Sequence, residues 1–143
     1  MADELVLYEL RGPVAVVTLN RPDKMNAFTG PMIDAWAGSL QEAQRDPEVN
    51  VVIVTGAGKA FCAGGDVARM GEGRPSPLDH KNGLWENIHR VPKALEAMDK
   101  PVIAMVNGVA VGAGMGMCVM CDMRVAADTA RFRLWTDPAE SDY

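Results

Sequence analysis

Two short apolar runs, each followed by a glycine-rich turn, constrain the fold of this chain more than any other feature. Residues 51–54 read VVIV and residues 102–106 read VIAMV. Continuous β-branched runs are typical of strands covered on both faces, as in parallel sheets. The first run leads into TGAG at residues 55–58 and the second into NG at residues 107–108. With helical patterns between them, they predict one α/β domain over residues 1–143, with sites at the carboxyl ends of its strands.

Further elements are predicted around these runs. Residues 5–10 and 14–19 are rich in β-formers and flank Arg11-Gly12-Pro13, which predicts a hairpin. A helix capped by Thr29 is predicted by the spacing of Ile33, Trp36, Leu40 and Ala43. A second helix, kinked or restarted at Pro92, is predicted by Leu84, Ile88, Val91, Leu95 and Met98. Shorter elements are expected as a helix through Met70, a helix at residues 115–120 and a strand at residues 123–127.

Composition excludes several classes of function. A net charge of −5 argues against nucleic acid or an anionic membrane as the main partner. No stretch approaches the ~18 apolar residues that a membrane span needs. The first residues, MADE, lack the layout of a signal peptide. We therefore expect a cytoplasmic protein that binds neither nucleic acid nor membrane.

The cysteines suggest a metal site and the glycines suggest a nucleotide-binding loop, but the sequence favours neither. Cys118 and Cys121 form a C-x-x-C, but only Cys62 remains as a further thiol, so buried reduced thiols are expected rather than a metal site. Residues 56–59 read GAGK, but Ala60 replaces the Ser or Thr of a phosphate loop. A dinucleotide fingerprint at residues 112–114 fails because its third glycine would fall on Met117.

Two glycine-rich turns have a chemistry in common: FCAGGD at residues 61–66, called the first turn below, and NGVAVGAG at residues 107–114. Each is expected to open a helix, and a helix start carries unpaired N–H groups and a dipole that favours negative charge. Two such donors that converge on one point would form an oxyanion hole. Small residues are needed there, because a bulky side chain would block the approach of a substrate.

Several motifs, in order, resemble the crotonase superfamily of enoyl-CoA hydratases and isomerases. They are LNRP (19–22) with NA (26–27), KAFCAGGD (59–66), KPVIA (100–104), NG (107–108), GAG (112–114), MCD (120–122) and RVAA (124–127). The resemblance extends over roughly residues 5–132. It implies a ββα spiral core that stops before the C-terminal helical part of the family, and an acyl-CoA or enoyl-CoA substrate.

The resemblance also implies roles for individual residues. The oxyanion donors would be the N–H groups of Gly65 and Ala113. Residues along the bound coenzyme A would be Lys24, Ala27, Ala63, Gly64, Asp66 and Val67. Coenzyme A enters as part of the substrate, and neither a separate cofactor nor a metal is expected.

Two departures from the family bear on catalysis. The first acid of the family's hydratases falls on Gly116, which has no side chain to donate or accept a proton. The second falls near Thr136, where Asp137 and Glu140 are candidates, and His89 is a remote alternative. Since a positioned acid or base contributes about 10²–10⁴-fold, a non-catalytic acyl-CoA-binding or assembly subunit is the competing reading.

The length is the last feature that the resemblance brings out. Family members are about twice as long and form trimers or hexamers, so either the chain is truncated or a further segment is missing from the sequence. The apolar faces around Trp36 and residues 84–98 are expected to exceed what half a domain can cover. A homotrimer or hexamer is therefore expected of the full-length protein, and marginal stability of this chain alone.

Overall fold

The computed structural model describes residues 4–66 and 76–134. Its strands are β1 (Val6–Arg11), β2 (Val14–Leu19), β3 (Val51–Gly56), β4 (Ala60–Cys62), β5 (Val102–Val106), β6 (Val109–Val111), β7 (Met123–Ala126) and β8 (Arg131–Arg133). Its α-helices are α1 (Gly30–Arg45), α2 (Pro77–Gly83), α3 (Arg90–Glu96) and α4 (Ala113–Met120). A 3-10 turn spans Pro22–Lys24, and a π-helical segment spans Leu84–Ile88.

The strands form two sheets, and from β3 onward successive strands belong alternately to one sheet and the other. The larger sheet has the order β1-β2-β3-β5-β7 and the smaller has the order β4-β6-β8. After the antiparallel β1–β2 hairpin, every pairing is parallel. Each strand pair, β3–β4, β5–β6 and β7–β8, gives one strand to each sheet, and helices connect one pair to the next. This ββα spiral confirms the predicted α/β class, while the smaller sheet was not predicted.

The hydrophobic core lies between α1, α3 and the larger sheet. Trp36 and Leu40 of α1 are fully buried, as are Val52 and Val54 of β3 and Val91 of α3. The expectation of an uncovered face around Trp36 is therefore wrong, because α1 packs against β1, β2 and α3 of the same chain. The helix around Pro92 buries Val91 and Leu95 and leaves Leu84, Ile88 and Met98 half-buried.

Exposed apolar side chains gather instead toward the end of the described chain. Val125 is 61% exposed and Leu134 is 72% exposed, which is far above the exposure of core side chains. Others on α4, β7 and β8 are Val119, Met120, Met123 and Phe132. The described residues leave this surface uncovered, whereas they cover the face around Trp36. Apolar side chains are also exposed before α3, where Leu78 and Trp85 are 61% and 59% exposed.

Helix ends differ from the predicted ones in detail. Thr29 is the N-cap residue of α1, but its side chain makes no capping hydrogen bond, and the Thr29 carbonyl accepts from Ile33 N–H at 2.9 Å. Pro92 is the third residue of α3, where its missing N–H costs little. The predicted helix through Met70 lies outside the described residues. Among the described helices, none combines the length and apolarity needed to cross a membrane.

Candidate active site

β4 and β6 bring the two glycine-rich turns side by side. The strands pair in parallel, and each leads directly into its turn. A Cβ atom built on Gly64 would lie 3.5 Å from Ala113 N and 3.0 Å from Val111 O. The segment at Gly64–Gly65 therefore lies against the N-terminal end of α4, as the predicted convergence of the two turns requires.

The N–H group of Gly65 faces away from the loop that precedes α1. Gly64 O accepts a hydrogen bond from Phe28 N–H at 2.8 Å. All peptide bonds in the described chain are trans, so the Gly65 N–H points opposite to this carbonyl. Within residues 4–66 and 76–134, no acceptor is hydrogen-bonded to it.

The N–H group of Ala113 points out of the start of α4. Ala113 is the first residue of the helix, after Gly112 with φ +55°. Gly112 O accepts from Gly116 N–H at 3.0 Å, so the Ala113 N–H of the same peptide unit points the other way. In the described part of the chain it has no acceptor either. Free donors at a helix start, aided by the helix dipole, attract an oxygen with partial negative charge.

The loop between β2 and α1 holds the first turn in place. Ala63 N–H donates to Met25 O at 3.0 Å, and Asp66 N–H donates to Phe28 O at 3.1 Å. These bonds place Ala27, Ala63, Gly64 and Asp66 in one region. Lys24 lies on the exposed 3-10 turn of the same loop. Of the residues expected along coenzyme A, only Val67 lies outside the described chain.

An ion pair between Arg21 and Asp66 also joins this loop to the first turn. Arg21 Nη1 lies 2.8 Å from Asp66 Oδ2 and donates to Ala27 O at 2.9 Å. The side chains are 20% and 16% exposed. Sequence reasoning did not give Arg21 a role, because nothing in the local pattern links two residues that lie 45 positions apart.

Two asparagines fix the start of β4. Asn26 and Asn107 both donate through Nδ2 to Ala60 O, at 2.9 and 3.1 Å. Asn26 is fully buried with φ +55°, and its Oδ1 accepts from Arg21 N–H at 2.8 Å. Asn107 Oδ1 accepts from Gly56 N–H at 3.0 Å. Both residues fell within recognised motifs, but their shared acceptor could not be read from the sequence.

Glycines allow β4 to pack directly against neighbouring backbone. A Cβ atom would lie 2.2 Å from Ala60 O at Gly56, 2.0 Å from Lys59 O at Gly108 and 2.3 Å from Cys62 O at Gly114. Real Cβ atoms do not approach other atoms so closely. The small residues are thus required by backbone packing behind the site, besides the substrate access that the sequence suggested.

Gly116 has a different environment from Gly114. It lies in α4, half-buried, and a Cβ built there would meet no atom within 4 Å. The methyl group of an alanine would therefore fit there. Asp137 and Glu140 lie outside the described residues. His89 lies at the surface beside the Trp85 ring, with ring centroids 5.9 Å apart.

The cysteines are free thiols in the core. Burial raises the pKa of Cys62 to about 11, against the opposing effect of a hydrogen bond from Gly64 N–H, and raises the pKa of Cys121 to about 12. Burial also raises the pKa of Cys118. Thiolate chemistry is therefore disfavoured at neutral pH. Across the described chain, no group of three or more His, Cys, Asp or Glu side chains gathers as a metal site would require.

Comparison with known proteins identifies the family to which the chain belongs. The family model for enoyl-CoA hydratase/isomerase matches residues 9–136. The chain belongs to that family, and its fold is the crotonase fold. It is 42% identical over 128 residues to the short-chain-enoyl-CoA hydratase of Clostridium acetobutylicum. The aligned residues are 89% of this chain and 48% of that protein.

Other relatives carry different names. The mitochondrial 3-hydroxyisobutyryl-CoA hydrolase of Rattus norvegicus is 35% identical over 130 residues, covering 90% of this chain and 34% of that protein. The crystal structure of an enoyl-CoA hydratase/carnithine racemase from Magnetospirillum magneticum has a TM-score of 0.85 at 32% identity, covering 92% of this chain and 49% of that one. The chain spans about a third to a half of the length of these relatives.

Proposed function

We propose that this protein acts on an acyl-CoA thioester and that Gly65 and Ala113 hold the thioester oxygen. The observation that carries the proposal is the pair of N–H groups that lie on adjacent segments and have no acceptor in the described chain. The reaction proposed is that of an enoyl-CoA hydratase or isomerase, which adds water to an enoyl-CoA or shifts its double bond. Membership of the family supports this choice.

The chemistry follows from where charge develops. Hydrogen bonds to the thioester oxygen draw electron density from the carbonyl, which favours attack at the β-carbon or loss of a proton at the α-carbon. Either step places negative charge on that oxygen, where the donors and the start of α4 stabilise it. The donors act most strongly on the transition state, which is what accelerates a reaction.

The coenzyme A part of the substrate is proposed to lie along the loop before α1 and the first turn. Lys24, Ala27, Ala63, Gly64 and Asp66 meet in this region, and Val67 continues it in the sequence. The backbone there is held by its own hydrogen bonds, so a ligand would meet a preformed surface. No cofactor beyond coenzyme A is part of the proposal.

Gly116 raises the question of which group would activate water. If it occupies the position of the family's first hydratase acid, water must be activated by another group, for which Asp137 and Glu140 are candidates in the sequence. The second candidate function is acyl-CoA binding without turnover. Gly116 favours it, because a site without that acid can polarise a thioester but holds water poorly.

The test compares turnover of crotonyl-CoA with its binding, in the parent chain and in Ala113→Pro. Ala113 is the first residue of α4, where proline is tolerated, so the variant removes one donor with little cost to the helix. Turnover should fall about 10²–10³-fold, while Val119→Ala, at an exposed position of the same helix, serves as the control. Binding without turnover by the parent chain would favour the second candidate. Equal turnover by parent and Ala113→Pro would refute the role of Ala113.

A glutamate at position 116 tests the missing acid. A Cβ atom at this position meets nothing within 4 Å, and Gly116→Glu should raise hydration of crotonyl-CoA modestly if the second acid is present. Brisk hydration by the parent chain would show that another residue supplies the acid. We also propose a cytoplasmic location, consistent with three free thiols, and a homotrimer or hexamer for the full-length protein.

A further inference from the structure

Arg21 lies where the end of the larger sheet meets the first glycine-rich turn. It follows β2, whose last residue Leu19 pairs with Gly56 of β3. The Arg21 backbone is held on both sides by Asn26: Arg21 N–H donates to Asn26 Oδ1 at 2.8 Å, and Arg21 O accepts from Asn26 N–H at 2.9 Å. The guanidinium therefore extends from a fixed point of the framework.

The guanidinium reaches the residue that follows Gly65. Its Nη1 donates to Asp66 Oδ2 at 2.8 Å and to Ala27 O at 2.9 Å. With 20% and 16% of the two side chains exposed, the pair is screened by solvent far less than the Arg11–Glu9 pair, whose side chains are 68% and 58% exposed. Arg21 thus makes a charged link between the loop before α1 and the first turn.

The turn needs such a link because its own backbone is permissive. Gly64 has φ +92°, and two consecutive glycines leave the direction of the Gly65 N–H weakly determined by local sterics. One side of Gly65 is held by the bond from Phe28 N–H to Gly64 O. The other side is held through Asp66, by its N–H bond to Phe28 O and by its carboxylate bond to Arg21.

We infer that Arg21 is a positioning residue for the thioester carbonyl: by anchoring Asp66, it holds the Gly65 N–H in the direction needed to bind that oxygen. This inference rests on the proposed function, because it assumes that Gly65 donates to the substrate. Arg21 acts through Asp66 and does not touch the reacting atoms. A shift of about 1 Å at such a donor can cost on the order of 10²-fold in rate, so a modest loosening of the turn is sufficient.

The test measures how much of the binding depends on the carbonyl. Butyryl-CoA, a saturated thioester that cannot be hydrated, is compared with S-butyl-CoA, a thioether that lacks only the carbonyl oxygen, by titration calorimetry. In the parent chain butyryl-CoA should bind about tenfold more tightly, the ratio expected from hydrogen bonds to one oxygen. Arg21→Met and Asp66→Asn should bring the ratio of the two dissociation constants to within about twofold of one. Arg21→Lys should recover part of it, and the exposed-pair control Arg11→Met should leave it unchanged.

Each alternative gives a separate result. A parent chain with no preference for butyryl-CoA over S-butyl-CoA would contradict the proposed function itself. A parent preference that Arg21→Met retains would overturn the positioning role, even if the melting temperature falls, because a purely structural residue changes stability without changing the ratio. The double variant Arg21→Met/Asp66→Asn should give the same ratio of dissociation constants as either single variant. Additive changes in that ratio would show that the two residues act separately.

Discussion

Gly114 and Gly116 lie two residues apart on α4 but have opposite surroundings, so alanine at each position should have opposite effects. At Gly114 a Cβ would lie 2.3 Å from Cys62 O and 2.9 Å from Cys62 Cβ. At Gly116 it would meet nothing within 4 Å. Neither glycine has a positive φ, so alanine adds no backbone strain of its own at either position.

The magnitudes follow from these distances. In a helix interior, replacing glycine by alanine contributes about 0.5–1 kcal/mol, which Gly116→Ala should gain in full. At Gly114 the obstacle includes a carbonyl of β4, which cannot move aside by a side-chain rotation. Overpacking of this kind costs about 1–3 kcal/mol, so Gly114→Ala should lose roughly 1–2 kcal/mol after the helix contribution is added back.

Urea unfolding followed by circular dichroism measures both variants against the parent chain. The two alanine variants should differ by roughly 1.5–3 kcal/mol, or about 4–10 °C in melting temperature for a chain of this size. Gly114→Ala should also weaken crotonyl-CoA binding, because the same displacement separates β4 from α4. If Gly114→Ala were as stable as Gly116→Ala, the close packing of β4 against α4 would be refuted.

Three further predictions concern other parts of the molecule. Lys100 Nζ donates to two carbonyl oxygens at the end of α1, at 2.6 and 2.5 Å. Lys100→Met should therefore lower the free energy of unfolding by about 1–2 kcal/mol, and an unchanged urea midpoint would contradict this prediction. The pKa of Cys62 is raised from 9.0 to about 11, so its contribution to stability should be complete below pH 9 and decline as pH rises toward 11. A Cys62→Ala variant with the same decline would show that the thiol is not its source. The exposed side chains Val125 and Phe132 should promote self-association, so Val125→Lys/Phe132→Lys should shift the sedimentation coefficient toward the monomer, and a parent chain that is already monomeric would contradict the prediction.

The strands and turns that carry strong local signals were predictable. The runs at residues 51–54 and 102–106 became β3 and β5 of the parallel sheet, as predicted. The expectation that both faces are covered is wrong for the described residues, because Val52, Val54, Val102, Ala104 and Val106 are buried whereas Ile53 and Ile103 are half-buried and Met105 is 42% exposed. The hairpin before them was also confirmed, with Gly12 at φ +56° in its turn. Gly65 and Ala113 were proposed from motif resemblance, and their closeness followed from the parallel arrangement.

Features that depend on long-range contact were not predictable. The three-residue strands β4, β6 and β8 are too short for a periodic pattern, and they exist because glycines let backbones meet. The Arg21–Asp66 link joins residues from separate elements, which no local rule connects. The error at Trp36 has the same cause, because a sequence shows that a helix has an apolar face but not how much of it a neighbour covers.

The most direct test of the account is the infrared spectrum of butyryl-CoA, a thioester that cannot be hydrated, labelled with ¹³C at the thioester carbonyl and bound to the protein. The carbonyl stretch should lie at lower frequency than in buffer, because two fixed donors in a partly buried site polarise the bond more than water does. Ala113→Pro should return the band part of the way toward its position in buffer, since one donor remains. A stretch that is the same in the bound and free states would show that Gly65 and Ala113 do not hold the thioester oxygen.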